Sequence, residues 1–586
     1  MGAVTIDPRS TAISPGQVLQ FNARAATGGI LQWSVNGIAG GNGTVGFVDT
    51  SGTYSAPASS PGTNVVVEAA LSSAPQTNFA TATVALIPPG VVEPTANPQV
   101  AMYTVTLPRA GTVTVQFGPD TRYGLNTWTR AVADPGGPVN IEVAGMRASA
   151  AYHLQALVIL GDGSRFTDAD HQFFTGAAPP TAPVQISTPS GLTPQPGIEL
   201  YDTMQFGTTP YNPQLAQAFA TDLQGNVIWT YRYAGTPINV ISPIKLLPNG
   251  NFLLNLTITS GAANSTIPAG SANDLREIDL AGTTIHDLPM ATLNAALASR
   301  GFTGHNLFAF SHDMLALPNG HLVLLTSTMK TLDNVPGYPN PITVSGDVLV
   351  DVDQNYQPDW VWDTFDHLDI NRHPFQFPPD WTHSDSLLYS SDDHDLLLSI
   401  RNQNWIIKID FRDAIGSGDI LWRLGVGGDF KLIGGTDPTD WFYAQHGMNF
   451  FTASTSGNFE LGLMDDGDDR QFPPGIVCGS AGAPACHYST VPVLRIDESL
   501  MTATLVSQYI APASLYSFFG GDAALLPNGD IEADFCSAAP GATVQEYQLG
   551  AGGRVTSPPI VWQSVSPGFD QYRTARLPSL YPGVQW

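Results

Sequence analysis

Charge is scarce in this chain of 586 residues. Asp, Glu, Lys and Arg together make up 12%, about half the usual quarter. Lysine occurs only at Lys245, Lys330, Lys408 and Lys431, and the formal net charge is -27. With no basic stripe to release counterions, a nucleic-acid partner is not expected; the acidity serves solubility. Cysteine is nearly absent as well. Cys478, Cys486 and Cys536 all fall late in the chain, so no disulfide framework defines the fold, and neither CxxC nor a Cys/His zinc spacing occurs. Cys478 and Cys486 bracket the loop GSAGAPA. They read either as a local bridge of the kind an exported protein keeps or as two unrelated thiols. No run of some 18 apolar residues occurs, so no membrane-spanning helix is expected. The opening MGAVTIDPRS carries no apolar targeting segment, which fits a removed signal peptide and equally a cytoplasmic start.

What the chain does have is period-two alternation, in LQFNARA, LQWSVNG, NVVVEAAL and TATVAL, separated by clusters of Gly, Ser, Asn and Pro. Helical periodicity is confined to LNAALAS, near residues 293 to 299. The chain is therefore expected to be all-β. Residues 1–88 read as an immunoglobulin-like sandwich with Trp33 as its apolar pin, and GTYSAPA resembles bacterial Ig-like modules of surface and exported proteins. After IPPGVVEPTANP, residues 99–176 form a second sandwich in which Met146 and Tyr152 resemble the tyrosine corner of fibronectin type III domains. His153 and His171, within it, read as ordinary strand and surface residues.

Residues 185–586 repeat. Apolar strands end in Pro-Asn-Gly turns at Gly250, Gly320 and Gly529, with degenerate copies at Asp393 and Gly457, about 64 to 73 residues apart. A second unit, Asp followed by a turn and a strand often closing on Trp, occurs six times, from TDLQGNVIW to YQLGAGGRVTSPPIVW. Units of this length, each about four strands, specify a six-bladed β-propeller, since a blade buries both faces only against its neighbours. Five turns against six closers predict a ring sealed by strands from both ends of the domain, the stretch near 198–233 completing a blade.

Three histidines, His312, His383 and His446, occupy the same place in this repeat, near the start of the innermost strand at the channel mouth, and Arg401 follows on the next strand of the middle blade. His321 and His394 directly follow their turns and are expected to face solvent. Three imidazoles and a guanidinium supply a nucleophile, a proton donor and acceptor near neutral pH, and donors for a small oxyanion. That set suits sulfuryl or phosphoryl transfer, and the single charge of a sulfate ester matches one Arg with His donors. The acidic run MDDGDDR, residues 464 to 470, reads as a solvated loop, with a Ca²⁺ site as the alternative.

SHDMLALPNG, DWTHSDS, the Arg of LSIRNQN and YAQHGMNF, in this order and spacing, resemble the bacterial arylsulfate sulfotransferases, six-bladed propellers that use no nucleotide sulfate donor. The resemblance implies an aryl sulfate donor, a phenolic acceptor and a ping-pong cycle with neither cofactor nor metal. It implies that His446 is the nucleophile that becomes a sulfohistidine, that His383 and Arg401 bind the sulfuryl oxygens, and that His312 is the acid and base. Trp381, Tyr443 and Phe310 adjoin the histidines and read as ring-stacking or as packing residues. Asp385 stands where the family typically has Asn; it is protonated, points away, or marks a different substrate. A periplasmic or secreted address is expected, and the N-terminal modules, an unusual extension for this family, suggest surface attachment, spacing or partner binding; a homo-oligomer is left open. Rival readings are an aryl sulfate hydrolase, a Zn²⁺ or Cu²⁺ enzyme whose metal Arg401 would repel, and a binding propeller without catalysis.

Overall fold

The computed structural model describes residues 4–59, 64–204, 212, 214–233, 240–257, 273–374, 380–479, 484–549 and 552–586. The chain divides into two compact units, Met1–Ala178 with Ser579–Trp586, and Pro179–Pro578.

The first unit holds the two β-sandwiches that the alternation predicts. In the first, strands Ser10–Ile13, Phe79–Leu86, Val65–Leu71 and Leu31–Val35 form one sheet, and Val18–Gln20, Thr53–Ser55 and Gly46–Val48 belong to another. Trp33 is buried with Phe21, Val35 and Tyr54, as an inter-sheet pin should be. In the second, Ala101–Leu107 pairs with Gly137–Val143, and Gly111–Gly118 with Ala151–Leu160. The Tyr152 hydroxyl accepts from the Arg147 amide at 3.0 Å, the bond that defines a tyrosine corner. The last eight residues differ from the expectation that they finish the propeller. Ser579–Trp586 belongs to the first unit, where the Tyr581 hydroxyl donates to the Glu142 carbonyl at 2.8 Å and Trp586 meets Phe117 edge-on at 5.9 Å.

The second unit is a six-bladed propeller, each blade an antiparallel meander of four strands. The second blade is Val240–Leu246, Phe252–Thr257, Asp274–Ile278 and Thr284–Pro289. The third is Leu307–Ala316, Leu322–Leu332, Ile342–Val352 and Pro358–Asp363. The fourth is Ser384–Ser390, Asp395–Ile400, Trp405–Ile409 and Ile420–Gly425. In the fifth, His446–Thr455, Asn458–Met464, Thr490–Asp497 and Thr502–Ile510 follow in order; in the sixth, Asp522–Leu525, Ile531–Phe535, Ala542–Tyr547 and Ile560–Ser566. Each Pro-Asn-Gly turn ends on a glycine at positive φ, +87° at Gly250 and Gly320 and +90° at Gly529, a conformation an L side chain resists.

The ring is sealed from both ends of the domain, as the count of turns and closers predicts. Thr574–Leu577 supplies the innermost strand of the first blade, beside Ile198–Asp202, while Gln185–Ser187 adds to the outer edge of the sixth. Apolar faces pack blade on blade: Leu397 and Trp422 of the fourth join Leu461 and Leu494 of the fifth in one cluster. Each such side chain fully buried contributes roughly 1.5–3 kcal/mol. The closing tryptophans also latch neighbouring blades. The Trp229 indole donates to the Leu280 carbonyl, Trp362 to Gly418 and Trp562 to Leu223, at 2.8 to 2.9 Å. LNAALAS lies in a helix, Met290–Ser299, as expected.

Near the site, four successive innermost strands lose register with their partners: between Ile241 and Ile244, Phe310 and Met314, Ser384 and Ser386, and His446 and Met448. Such bulges re-aim side chains. They also explain a shift from the expected pattern: His446 opens its strand and His383 immediately precedes one, but His312 lies inside Leu307–Ala316, in the irregular segment.

Candidate active site

The three blades bring their histidines together. The His312 and His383 rings lie 4.4 Å apart, and His383 and His446 6.1 Å, centroid to centroid. His383 is held at φ +50°, a left-handed backbone that costs a non-glycine residue about 1 kcal/mol or more. Its carbonyl accepts from the Arg401 amide at 3.2 Å, its Nδ1 meets the Asp380 carboxylate, and Asn402 caps the Asp380 carbonyl at 2.9 Å. The short helical turn Arg401–Gln403 is thereby fixed against the segment carrying His383.

His446 is buried. Its Nδ1 lies 2.7 Å from an Asp466 oxygen, and its Nε2 has no hydrogen-bond partner among the described residues. Burial, then the Arg401 guanidinium and the His383 ring, holds the His446 pKa well below the usual histidine range. Burial and His383 do the same to His312, whose Nδ1 is 2.6 Å from the Ser311 hydroxyl. Burial, then the neighbouring Asp468 carboxylate, pushes Asp466 well above the usual carboxylate range. His446 and Asp466 are thus a hydrogen-bonded pair rather than an ion pair, since burial disfavours the charged form of each.

Arg401 donates to Asp468 at 2.8 Å, to the Asn402 side chain at 2.7 Å and to the Phe518 carbonyl at 3.0 Å. The acidic run is consequently no solvated loop. Asp465, Asp466 and Asp468 are all buried, and each is engaged: Asp465 with Arg470 and the Thr490 hydroxyl, Asp466 with His446, Asp468 with Arg401. Among the described residues these carboxylates do not gather into a set that could hold a metal ion.

Two neighbours carried no signal in the repeat. Tyr572, just before the ring-closing strand, puts its ring 5.4 Å from His312 and 5.8 Å from His446; its buried hydroxyl has no partner among the described residues. Arg573 donates to the Asp385 carbonyl at 2.5 Å and lies 3.4 Å from the Asp313 carboxylate, which also pairs with Lys245 at 2.9 Å. Asp385 itself is fully buried, its carboxyl pushed well above the usual range by burial against the opposing pull of Arg573. Of the alternatives weighed for it, the neutral, protonated carboxyl is the one this environment favours.

Of the ring-stacking and packing readings of Trp381, Tyr443 and Phe310, the contacts among the described residues are those of packing, and all three side chains are buried. Trp381 donates to the Arg372 carbonyl at 2.9 Å and packs on Phe365, Tyr443 donates to the Pro438 carbonyl at 3.0 Å, and Phe310 lies in the core between the second and third blades. Cys478 and Cys486 form a disulfide, while Cys536 is a buried free thiol.

A family model described as arylsulfotransferase (ASST) matches residues 199–555. No curated protein matches the chain. Among solved structures, a putative 6-phosphogluconolactonase from Bacteroides uniformis is similar at 11% identity and TM-score 0.33, covering 66% of this chain and 100% of its own. A protein from Lactobacillus plantarum is similar at 9% identity and TM-score 0.32, covering 65% and 99%. The FN1–FN3 domains of chicken CNTN1 are similar at 11% identity and TM-score 0.14, covering 49% and 96%.

Proposed function

Because the chain belongs to the arylsulfotransferase family, we propose that its propeller moves a sulfuryl group from an aryl sulfate to a phenol through a sulfohistidine at His446. One observation carries the reading. The Nε2 of His446 is buried and unpartnered among the described residues while Nδ1 is held by Asp466. With the ring proton on Nδ1 and donated to Asp466, the Nε2 lone pair is the free one.

In the first half-reaction Nε2 attacks sulfur, the N–S bond forms and the bond from sulfur to the aryl oxygen breaks. The departing phenolate takes a proton from His312, which the negative ester favours in its charged form. In the second, the acceptor phenol returns a proton to His312 as its oxygen attacks sulfur and the N–S bond breaks. Each cycle leaves the protein as it began. Arg401, His383 and the Tyr572 hydroxyl supply donors to the sulfuryl oxygens, where charge redistributes in the transition state. The disulfide between Cys478 and Cys486 supports a periplasmic or secreted address, and the two N-terminal sandwiches are read as spacer or attachment modules.

The test is intact-protein mass spectrometry after exposure to 4-nitrophenyl sulfate without acceptor. The protein should gain the mass of one SO₃, lose it on addition of phenol, and gain nothing as His446→Ala. Labelling that persists in His446→Ala, or no labelling of a protein that turns over, overturns the reading.

A further inference from the structure

We propose that His321, Asp351 and Asp359, on the third blade beyond the turn that ends the His312 strand, bind a divalent transition-metal ion, with Zn²⁺ as the probe. One ligand atom from each residue lies within 4.8 Å of the others. His321 Nδ1 is 2.9 Å from an Asp351 oxygen. Asp351 is fully buried, and its other oxygen has no partner among the described residues. A buried carboxylate with an orphaned oxygen is costly unless a cation completes it.

The repeat supplies an internal comparison. In the third blade Asp351 pairs with Trp360 and Val352 with Pro358, so Asp359 is an extra, bulged residue. The same bulge recurs at Ile285 in the second blade, Leu421 in the fourth and Val561 in the sixth. At the position of Asp351 those blades carry Glu277, Lys408 and Glu546, each compensated. Glu277 accepts from Asn249, Lys408 pairs with Glu498, and Glu546 pairs with Arg576, at 2.7 to 2.8 Å. Asp351 has instead His321, where the second blade has Asn251. A second carboxylate, Asp359, replaces the aliphatic bulge residue.

One imidazole nitrogen with two carboxylates suits Zn²⁺ better than the all-oxygen cations, and three protein ligands leave one position for water. Tetrahedral bonds of about 2.1 Å bring ligand atoms to about 3.4 Å of one another. The exposed Asp359 is the ligand that moves, giving up a solvent-screened surface contact with Arg300 at 3.5 Å. Such an ion would tie the second, third and fourth strands of this blade together.

The full chain, stripped with chelator, is titrated with ZnCl₂ by calorimetry, with Co²⁺ absorption as a coordination readout. We expect one saturable equivalent and a higher melting temperature. His321→Asn and Asp359→Ile, substitutions the second blade already carries, should each weaken Zn²⁺ at least tenfold without lowering the melting temperature of the metal-free protein or its sulfuryl transfer. No saturable binding to the parent chain, or undiminished binding in both variants, overturns the proposal. If one variant fails to fold, the other decides.

Discussion

The Nδ1 atom of His446 lies 2.7 Å from the Asp466 carboxylate, across the first hairpin of the fifth blade. On the proposed reading, Asp466 accepts the Nδ1 proton there and the Nε2 lone pair is left free. Asp466→Asn replaces the carboxylate by an amide that can donate to Nδ1 and so drive the proton onto Nε2. The expected result is a fall in kcat of about 10²-fold with little change in KM, in a protein whose circular dichroism and melting curve match the parent. A variant with parental kcat would show that Asp466 does not set the tautomer.

Tyr572→Phe removes one hydroxyl and leaves the ring that packs between His312 and His446. Loss of a preorganised donor to a developing oxyanion costs about 10²-fold or more. The loss should appear in kcat for both half-reactions, measured by burst and discharge of the labelled intermediate. An effect on KM alone would assign the hydroxyl to ground-state binding.

His312 and His446 both titrate below the ordinary histidine range. The free enzyme should therefore keep both rings uncharged at pH values where a surface histidine has begun to protonate, about 6.5. Because His312 must carry the proton it gives to the phenolate while His446 must be neutral, kcat/KM is expected to rise as pH falls from neutrality toward about that pH and to turn down only below it. An acid limb centred at or above about 6.5 would contradict the assignment.

Asp385 is a raised carboxyl, so the sign for stability is opposite to that of a salt-bridged aspartate. Its folded form keeps a proton that the unfolded chain has lost, and the stability tied to that proton is present at low pH and declines as pH rises through the folded pKa. Asp385→Asn keeps the neutral shape. Its melting temperature should equal the parent's near pH 4 and exceed it increasingly toward pH 8, each tenfold preference for the neutral carboxyl being worth about 1.4 kcal/mol. A gap that is constant with pH would show that Asp385 is ionised.

The ring and its three histidines were legible because a repeat converts sequence spacing into angular position around an axis. His312, His383 and His446 could be aligned from turns alone. Asp466 was not, because MDDGDDR has the composition of a solvated loop; the fold places it just past strand Asn458–Met464, under buried arginines. Tyr572 and Arg573 had no counterpart to align with, since the closing strand comes alone from the far end of the domain. The packing of Trp381 and Tyr443 has a local reason. Nearness in sequence implies a shared face only along a regular strand, and the backbone turns left-handed at His383 and Ala444. Phe310 is cut off from His312 by the break in register that follows it.

Two Asp202 oxygens receive the backbone amides of Tyr572 and Arg573 at 2.6 and 3.1 Å, pinning the closing strand to the blade made first. During synthesis these two residues leave the ribosome after every histidine of the cluster. A nascent or clipped chain that has built five blades still lacks the hydroxyl and guanidinium beside its imidazoles. Closing the ring and completing the surroundings of the three imidazoles are therefore one event.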